Sequence, residues 1–277
     1  MLRAVDYIRA RSWCFRKMWL KLLIWLTALI QLLAGAPSEL LGKIFGGETA
    51  SIADYPFLVN IRRGKQFRCG GALISPRCVL TAAHCLERRH QQVHDLFVHA
   101  QQQCLDDPTP ETHLRQAWFA WVPPKYQPGR SLDADLAVII LRQPFDKSAN
   151  ASTVPVDFND LPEGANLTVI GWGMTSNEDH NWNQCLQATN VSLVPQCDCV
   201  QQMGKYLPVT NNMFCALGAN STDACAGDSG GPLLHAGRSA GIVSWGYGCG
   251  SGLPGVNTRL SSSAMTWFLK SFLEQHC

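Results

Sequence analysis

The chain has 277 residues, 46% of them hydrophobic and 16% charged, which is enough apolar sequence for a full core and excludes a largely disordered protein. The formal net charge is +2, but residues 44–277 carry 16 Lys/Arg against 19 Asp/Glu, a net charge of −3. Nucleic-acid binders need a basic surface, so we expect no nucleic-acid partner.

The first 36 residues have the layout of a secretory signal peptide. An apolar run, Leu22–Leu33, follows a basic segment and precedes small residues at 34–36. The run is shorter than the roughly 20 residues that a membrane-spanning helix needs. We therefore expect residues 1–36 to be removed on export, with translation starting at Met1 or at Met18, and the mature protein to be secreted, extracellular and without a membrane anchor.

After residue 43, apolar residues fall in short runs separated by Gly, Pro and polar turn residues, which predicts many short β-strands. The predicted strands are Pro56–Ile61, Gly71–Ile74, Cys78–Thr81, Leu96–Ala100, Ala117–Val122, Leu136–Leu141, Leu167–Gly171, Pro232–Leu234 and Ala240–Trp245. Short strands in this number form sandwiches or barrels, so the predicted fold class is all-β.

Two further segments complete the predicted organisation. The stretch 144–162, rich in Pro, Ser, Asn and Asp, is predicted to cross between two halves of the fold. Only residues 264–274 have helical spacing, with Trp267, Phe268 and Phe272 able to share one face. We therefore predict a terminal helix packed on the core.

Twelve cysteines indicate an oxidising compartment. A zinc site would need paired ligands at short spacing, whereas Cys197 and Cys199 are separated by one residue. Disulfides are therefore favoured, and we expect no metal and no cofactor. The Asn-x-Ser/Thr tripeptides agree with export and predict glycosylation. They begin at Asn150, Asn166, Asn190 and Asn220.

The most informative segment is Asp-Ala-Cys-Ala-Gly-Asp-Ser-Gly-Gly-Pro, residues 223–232, in which Ser229 precedes two glycines. A serine on a glycine-rich turn can be an exposed nucleophile. The segment also fits the Gly-x-Ser-x-Gly turn of α/β-hydrolases, in which an acid and then a histidine follow the serine. Here only Glu274 and His276 follow in that order, which leaves no room for the remaining strands of that fold.

Two upstream segments complete a pattern: Leu-Thr-Ala-Ala-His84-Cys and Leu-Asp-Ala-Asp135-Leu-Ala. With the Ser229 segment they resemble the three signatures of the trypsin/chymotrypsin serine endopeptidases, in the family's order His, Asp, Ser. The resemblance covers residues 44–273. It implies two packed antiparallel six-stranded β-barrels, at about 44–148 and 149–263, and a helix at about 264–275.

The resemblance also implies catalytic roles. Ser229 would be the nucleophile, His84 the general base and Asp135 the acid that orients the imidazole. Asp133 is the alternative acid, but Asp135 is preferred because an apolar run follows it directly. The backbone N–H groups of Gly227 and Ser229 would form the oxyanion hole.

The specificity pocket is implied in the same way. Asp223 lies where trypsin-like members have the pocket floor, which implies cleavage after Arg or Lys. Ser244, Gly246 and Gly255 match the pocket walls. Asn257 departs from the family, which usually has tyrosine there, and this leaves the balance between Arg and Lys open.

The segment Lys-Ile-Phe-Gly-Gly, residues 43–47, resembles the family's activation junction. Residues 37–43 would form a short propeptide, and cleavage after Lys43 would free the amine of Ile44 to pair with Asp228. Phe45 is bulkier than the valine usual in the family. We therefore expect the chain to be made as a zymogen.

The resemblance further implies three disulfides: Cys69–Cys85, Cys199–Cys215 with Cys197 as the alternative to Cys199, and Cys225–Cys249. With Cys14 lost in the signal peptide an odd number of cysteines remains, so at least one is expected to be free or intermolecular. As guesses, Cys78 pairs with Cys104, and Cys277 pairs outside the chain.

The leading hypothesis is a secreted serine endopeptidase that acts on protein or peptide substrates, with protein protease inhibitors as further partners. The alternative is a protease-like protein that binds a partner without cutting it. Such homologues typically replace a triad residue, whereas all three are present here. A third candidate, an acyl hydrolase that is not a protease, is disfavoured by the order His, Asp, Ser.

Overall fold

The computed structural model describes residues 47–86, 93–127, 131–174, 185–219, 224 and 227–277. The predicted signal peptide, the propeptide and the junction of Lys43 with Ile44 lie outside the described residues. The same holds for Asn220, Asp223 and Cys225. All described residues belong to one unit, Gly42–Cys277.

The described residues form thirteen strands and two α-helices. The strands are β1 (Glu48–Thr49), β2 (Leu58–Arg63), β3 (Gln66–Ser75), β4 (Cys78–Thr81), β5 (Leu96–Ala100), β6 (Leu114–Trp121), β7 (Ala137–Leu141), β8 (Asn166–Gly171), β9 (Gln187–Val194), β10 (Met213–Gly218), β11 (Pro232–His235), β12 (Arg238–Trp245) and β13 (Gly255–Arg259). The helices are α1 (Gln196–Met203) and α2 (Ser263–His276).

The N-terminal barrel is closed, with strand order β2-β3-β4-β7-β6-β5 and antiparallel pairing throughout. Closure pairs both edges of every strand, so no strand edge is left open. Apolar side chains from alternate positions fill the interior, among them the fully buried Leu58, Ile61, Leu73 and Ile139. The short apolar runs of the sequence therefore become the inward faces of barrel strands.

The C-terminal barrel has the order β8-β9-β10-β13-β12-β11 and closes where β11 pairs with β8. The short strand β1 joins the outside of this ring, with Glu48 opposite Ala188 on β9. Phe214, Leu167 and Leu233 are buried in its core. The predicted pair of six-stranded antiparallel barrels is thus confirmed.

The strand prediction lacks β1, β9, β10 and β13, and the helix α1 was not predicted. In β9 the outward positions are polar, so the strand carries few of the apolar residues used to predict strands. Helix α1 has two turns and begins after Pro195, whose φ of −51° suits a helix start. Only Cys199 and Met203, one turn apart, are buried on it.

Helix α2 is present, with bounds one or two residues wider than predicted. Ser262 caps its start by accepting a hydrogen bond from Met265 N–H at 3.4 Å. Phe268 and Leu269 are buried with Leu80 and Val138 of the N-terminal barrel, so the last helix of the chain packs on the first barrel. Neither described helix is both long and apolar enough to span a bilayer.

Four disulfides join described residues: Cys69–Cys85, Cys78–Cys277, Cys104–Cys185 and Cys199–Cys215. The guess that Cys78 pairs with Cys104 is wrong, and so is the guess that Cys277 pairs outside the chain. Both fail because α2 carries Cys277 back to the barrel strand that holds Cys78, 199 residues earlier. Cys197 and Cys249 are also disulfide-bonded, and no described cysteine is free.

A buried polar network holds the loop that follows β5. The Arg62 guanidinium donates hydrogen bonds to Gln102 Oε1 at 3.0 Å and to the carbonyl oxygen of Leu105 at 2.5 Å. His99 on β5 contacts Thr109 Oγ1 through Nδ1 at 2.9 Å. Burial, and then the charge of Arg62, lower the pKa of His99 from 6.5 to about 4.

We expect the double substitution Cys78→Ser/Cys277→Ser to lower the free energy of unfolding by about 2–5 kcal/mol, because this disulfide closes a very long loop and anchors α2. Chemical unfolding followed by circular dichroism measures the change. Trp267→Ala is the matched control, because this α2 side chain is 68% exposed and should change stability by no more than about 0.5 kcal/mol. An unchanged unfolding free energy in the double variant would contradict the anchoring role.

We expect His99 to make the fold acid-sensitive. The unfolded chain binds a proton near pH 6.5 and the folded chain only near pH 4, so the contribution of this group is complete above pH 6.5 and is lost as pH falls towards 4. Through His99 the free energy of unfolding changes by at most about 1.4 kcal/mol per pH unit, and the partial exposure of this side chain makes the change smaller. His99→Gln should flatten the stability profile between pH 6.5 and 4.5 in urea unfolding, and parallel profiles would refute this.

Candidate active site

His84 lies on a single 3-10 turn, Ala83–Leu86, directly after β4. Its neighbours Ala83, Cys85 and Leu86 are buried, and the disulfide of Cys85 with Cys69 on β3 fixes the turn. Only the imidazole projects outwards, with 29% of its side chain exposed. The turn thus holds one polar side chain in a fixed place at the surface of the N-terminal barrel.

Asp135 lies just before β7 and is completely buried. Its carboxylate accepts two hydrogen bonds from His84, one from the backbone N–H to Oδ1 at 2.9 Å and one from Nδ1 to Oδ2 at 2.7 Å. The preceding residue, Ala134, has a φ of +58°, so the backbone turns sharply to direct the carboxylate at the histidine. With Nδ1 bound in this way, Nε2 is the nitrogen left to face a substrate.

The C-terminal barrel supplies two further donors to the same residue. Ser244 Oγ on β12 donates to Asp135 Oδ2 at 2.5 Å, and Thr258 Oγ1 on β13 donates to the Asp135 carbonyl oxygen at 2.7 Å. A buried carboxylate is costly unless hydrogen bonds replace its water. Both barrels therefore contribute to the environment of one acid.

Asp133, the alternative acid, has other partners. Its Oδ1 accepts hydrogen bonds from Thr210 Oγ1 at 2.6 Å and from Asn212 Nδ2 at 2.8 Å, both in the turn before β10. The structure therefore brings Asp135, and not Asp133, to the histidine. Nearby, burial and then the charge of Asp135 raise the pKa of Tyr126 well above its ordinary value, so this phenol stays protonated.

The segment of Ser229 lies against the histidine turn. The Ser229 carbonyl oxygen accepts a hydrogen bond from Gly70 N–H on β3 at 2.9 Å. Gly230 has a φ of +79°, and a Cβ there would lie 2.6 Å from the Gly70 carbonyl oxygen and 3.1 Å from Cys85 Sγ. No residue with a side chain fits at that position, which accounts for the glycine after the serine.

The Cys85 sulfur atom lies close to both the imidazole and the segment of Ser229. Cys85 Sγ is 3.9 Å from His84 Nε2, and Gly230, the neighbour of Ser229, packs on this sulfur. The residue that follows Ser229 therefore lies against the disulfide that borders the imidazole. Cys69, His84 and Cys85 also bring ligand-type atoms within 4.8 Å of one another, but both sulfur atoms form the disulfide and are not thiolates.

Asp228 precedes the serine and is only 1% exposed. Its Oδ1 accepts a hydrogen bond from Gly173 N–H at 2.8 Å, and a Cβ on Gly173 would lie 2.5 Å from the carboxyl carbon. The aspartate is thus held in a close-fitting site behind the serine. Gly227, directly before Asp228, has a φ of +101°, which favours glycine at this position.

The residues assigned to the pocket walls lie at the ends of two neighbouring strands. Ser244 and Gly246 lie at the end of β12 and just beyond it, and Gly255 begins β13. A Cβ on Gly246 would lie 4.0 Å from Gly255 Cα, so the two glycines face each other. Asn257 is buried and donates from Nδ2 to the Gly255 carbonyl oxygen at 3.2 Å. Asp223, the predicted floor, lies outside the described residues.

Three of the four predicted glycosylation sites lie among the described residues. Asn150, Asn166 and Asn190 are all exposed, and Asn220 is outside the described residues.

Sequence reasoning missed three residues around the acid. Ser244 was assigned to substrate binding alone, and neither Thr258 nor Tyr126 was singled out. Ser244 and Thr258 are 109 and 123 residues from Asp135 along the chain. A short motif around Asp135 holds no signal for such distant donors.

Comparison with known proteins agrees with this geometry. Residues 44–268 match the family model described as Trypsin. A trypsin from Phaedon cochleariae is 33% identical over 225 residues, which cover 79% of this chain and 85% of the relative. Kallikrein-12 from Homo sapiens is 35% identical over 223 residues, covering 79% and 86%.

A solved structure agrees as well. Neuropsin, described as a serine protease expressed in the limbic system of mouse brain, superposes with a TM-score of 0.72 at 28% identity, covering 82% of this chain and 98% of neuropsin. The family match extends over most of the chain, including the segments of His84, Asp135 and Ser229. The chain therefore belongs to the trypsin family and is a serine-type endopeptidase.

Proposed function

We propose that this protease is secreted as a zymogen and cleaves peptide bonds after Arg or Lys by an acyl-enzyme mechanism. The observation that carries the catalytic part is the buried Asp135, bound to His84 Nδ1 at 2.7 Å, with the Ser229 segment packed against the neighbouring Cys85. This arrangement supports a triad of Ser229, His84 and Asp135.

In the first half of the reaction, Ser229 Oγ attacks the scissile carbonyl carbon while His84 Nε2 takes the hydroxyl proton. The protonated imidazole then gives that proton to the leaving amine, and the acyl group stays on the serine. In the second half, water repeats these steps and releases the acid. Asp135 keeps the imidazole in the correct tautomer and stabilises its positive charge.

Backbone N–H groups would stabilise the negative oxygen of the tetrahedral intermediate. We assign the backbone N–H groups of Gly227 and Ser229 to this oxyanion hole. Each such donor typically raises the rate by about 10²- to 10³-fold. The hydrogen bond from Gly70 N–H to the Ser229 carbonyl oxygen ties this segment to the N-terminal barrel.

The preference for Arg and Lys rests on Asp223. A carboxylate at the floor of a pocket pairs with a guanidinium or ammonium group. The facing glycines at 246 and 255 support an open pocket mouth, because neither has a side chain to obstruct a long substrate residue. Buried Asn257 is smaller than the usual tyrosine, and we expect it to leave room for water at the floor, which favours Lys over the larger Arg fork.

Activation would follow cleavage after Lys43. The new amine of Ile44 would pair with Asp228, whose burial is itself an argument for a cationic partner, since a buried carboxylate is stabilised by an opposite charge. Asp228 is adjacent to Ser229, so this pairing would order the catalytic turn. Substrates and protein inhibitors would then bind the same cleft.

Export rests on the signal peptide layout and on the disulfides. Four disulfides between described residues are typical of an oxidising compartment. The alternative of a protease-like binding protein remains testable, because it shares the fold and the pocket but would lack peptide hydrolysis.

The test uses the enzyme cleaved after Lys43, with its new Ile44 terminus verified. It measures hydrolysis of three matched chromogenic peptides that end in Arg, Lys or Phe. We expect Arg and Lys peptides to be cut, the Phe peptide to be poor, and Ser229→Ala to abolish all cutting. Asn257→Tyr should raise the ratio of Arg to Lys cleavage. Preferred cutting of the Phe peptide would refute the pocket, and no cutting at all would favour the binding protein.

We expect Asp135→Asn to lower kcat on the Arg peptide by about 10⁴-fold, because the amide favours the wrong imidazole tautomer. Ser244→Ala should cost roughly 10-fold, since it removes one hydrogen bond to the same carboxylate. Asp133→Asn is the matched control and should leave kcat unchanged. Steady-state kinetics separate these cases, and a large loss in Asp133→Asn with little in Asp135→Asn would overturn the assignment.

A further inference from the structure

Two of the Asn-x-Ser/Thr tripeptides lie side by side in the C-terminal barrel. Residues 166–168 begin β8 and residues 190–192 lie within β9. The antiparallel register puts Asn166 opposite Ser192 and Thr168 opposite Asn190. Each asparagine thus faces the hydroxyl residue of the other tripeptide.

Reciprocal hydrogen bonds connect the two tripeptides. Thr168 Oγ1 donates to Asn190 Oδ1 at 3.1 Å, and Ser192 Oγ donates to Asn166 Oδ1 at 3.1 Å. Both bonds use the amide oxygen of asparagine and not Nδ2, the atom that carries sugar in an N-linked glycan. Both asparagines are exposed on the outer face of the sheet.

The middle residues of the tripeptides fix this arrangement. Leu167 and Val191 point into the barrel and are only 1% and 3% exposed. Side chains alternate between faces along a strand, so their burial keeps both asparagines and both hydroxyl groups on the outside. A shift of one residue in the pairing of β8 with β9 would turn both asparagines inwards and expose Leu167 and Val191.

We propose that Asn166 and Asn190 form a paired N-glycosylation site that accepts sugar only before β8 and β9 pair. In the transfer, a bond forms between asparagine Nδ2 and sugar C1, the C1–oxygen bond to a lipid diphosphate carrier breaks, and the lipid diphosphate leaves with the electron pair. Nδ2 loses one proton to solvent. The donor is a lipid diphosphate-linked oligosaccharide, so occupancy in cells rests on the export proposed above.

Strand pairing closes the site to a transferase. Strand β8 is bonded to β9 on one side and to β11 on the other, and β9 lies between β8 and β10. To enter a transferase cleft, either tripeptide must leave the barrel, which requires opening core strands with a high free energy of opening. Asn150 differs, because it is exposed in a loop after a 3-10 turn, with a φ of +49°.

Sugars already attached do not conflict with the folded barrel. The reciprocal bonds need only the two Oδ1 atoms and the two hydroxyl groups, so a glycosylated asparagine can still accept its hydrogen bond. The outer face of β8 and β9 then carries two adjacent glycans. That face would be covered in the secreted protein.

The test uses full-length Ser229→Ala protein made in a host without N-glycosylation. One sample is folded and disulfide-bonded, and the other is reduced, alkylated and unfolded. Both are incubated with a purified oligosaccharyltransferase and its lipid-linked donor. No Lys or Arg lies between Lys147 and Lys205, so one tryptic peptide, 148–205, carries all three asparagines and its mass counts the glycans.

We expect peptide 148–205 from the folded sample to carry one glycan, at Asn150, and the same peptide from the unfolded sample to carry further glycans at Asn166 and Asn190. Cuts after Glu163 and Glu178 separate the three asparagines and assign each one. Occupancy of Asn166 and Asn190 should be at least about tenfold lower in the folded sample.

Two control variants retain the pairing chemistry. Thr168→Ser and Ser192→Thr keep each tripeptide and its hydroxyl donor, and should reproduce the difference between folded and unfolded samples. Equal modification of Asn166 or Asn190 in both samples overturns the proposal, and so does an unfolded chain that accepts no sugar there. Export is judged separately, by the occupancy of Asn150 in protein collected from culture medium.

Discussion

The buried carboxylate of Asp135 is the group on which the arrangement of the site depends. It is removed from water, so its charge is tolerable only where hydrogen bonds replace hydration. The donors come from the histidine turn of one barrel and from a strand of the other. The same few contacts therefore orient the imidazole and join the two barrels at the site.

Much of the fold could be predicted, because the barrels bury apolar runs with turn residues between them. The bounds of β4 and β5 agree fully with the prediction, since both are short, apolar and bordered by turns. Strand β13 could not be found in this way. Its sequence Gly-Val-Asn-Thr-Arg places Asn257 and Thr258 in the interior, where hydrogen bonds and not apolar burial stabilise them.

The candidate site was predictable as a set of residue types and only partly as a network. The three signatures are short local motifs, so their residue types and their order can be recognised in the sequence. The pairing of His84 with Asp135 is present in the structure. The roles of Ser244 and Thr258 depend on contacts across more than 100 residues. The predicted partner of Cys78 was wrong for the same reason. Its actual partner, Cys277, is brought near by a helix that crosses to the other barrel.

The bond between Cys78 and Cys277 has a consequence for synthesis on the ribosome. Cys277 is made 199 residues after Cys78, so this bond cannot form until that whole stretch has left the exit tunnel. The Cys78 thiol on β4 therefore has no native partner available while those residues are made. During that interval other cysteines can compete for it, and an isomerase able to reverse wrong pairings would determine the yield of native enzyme.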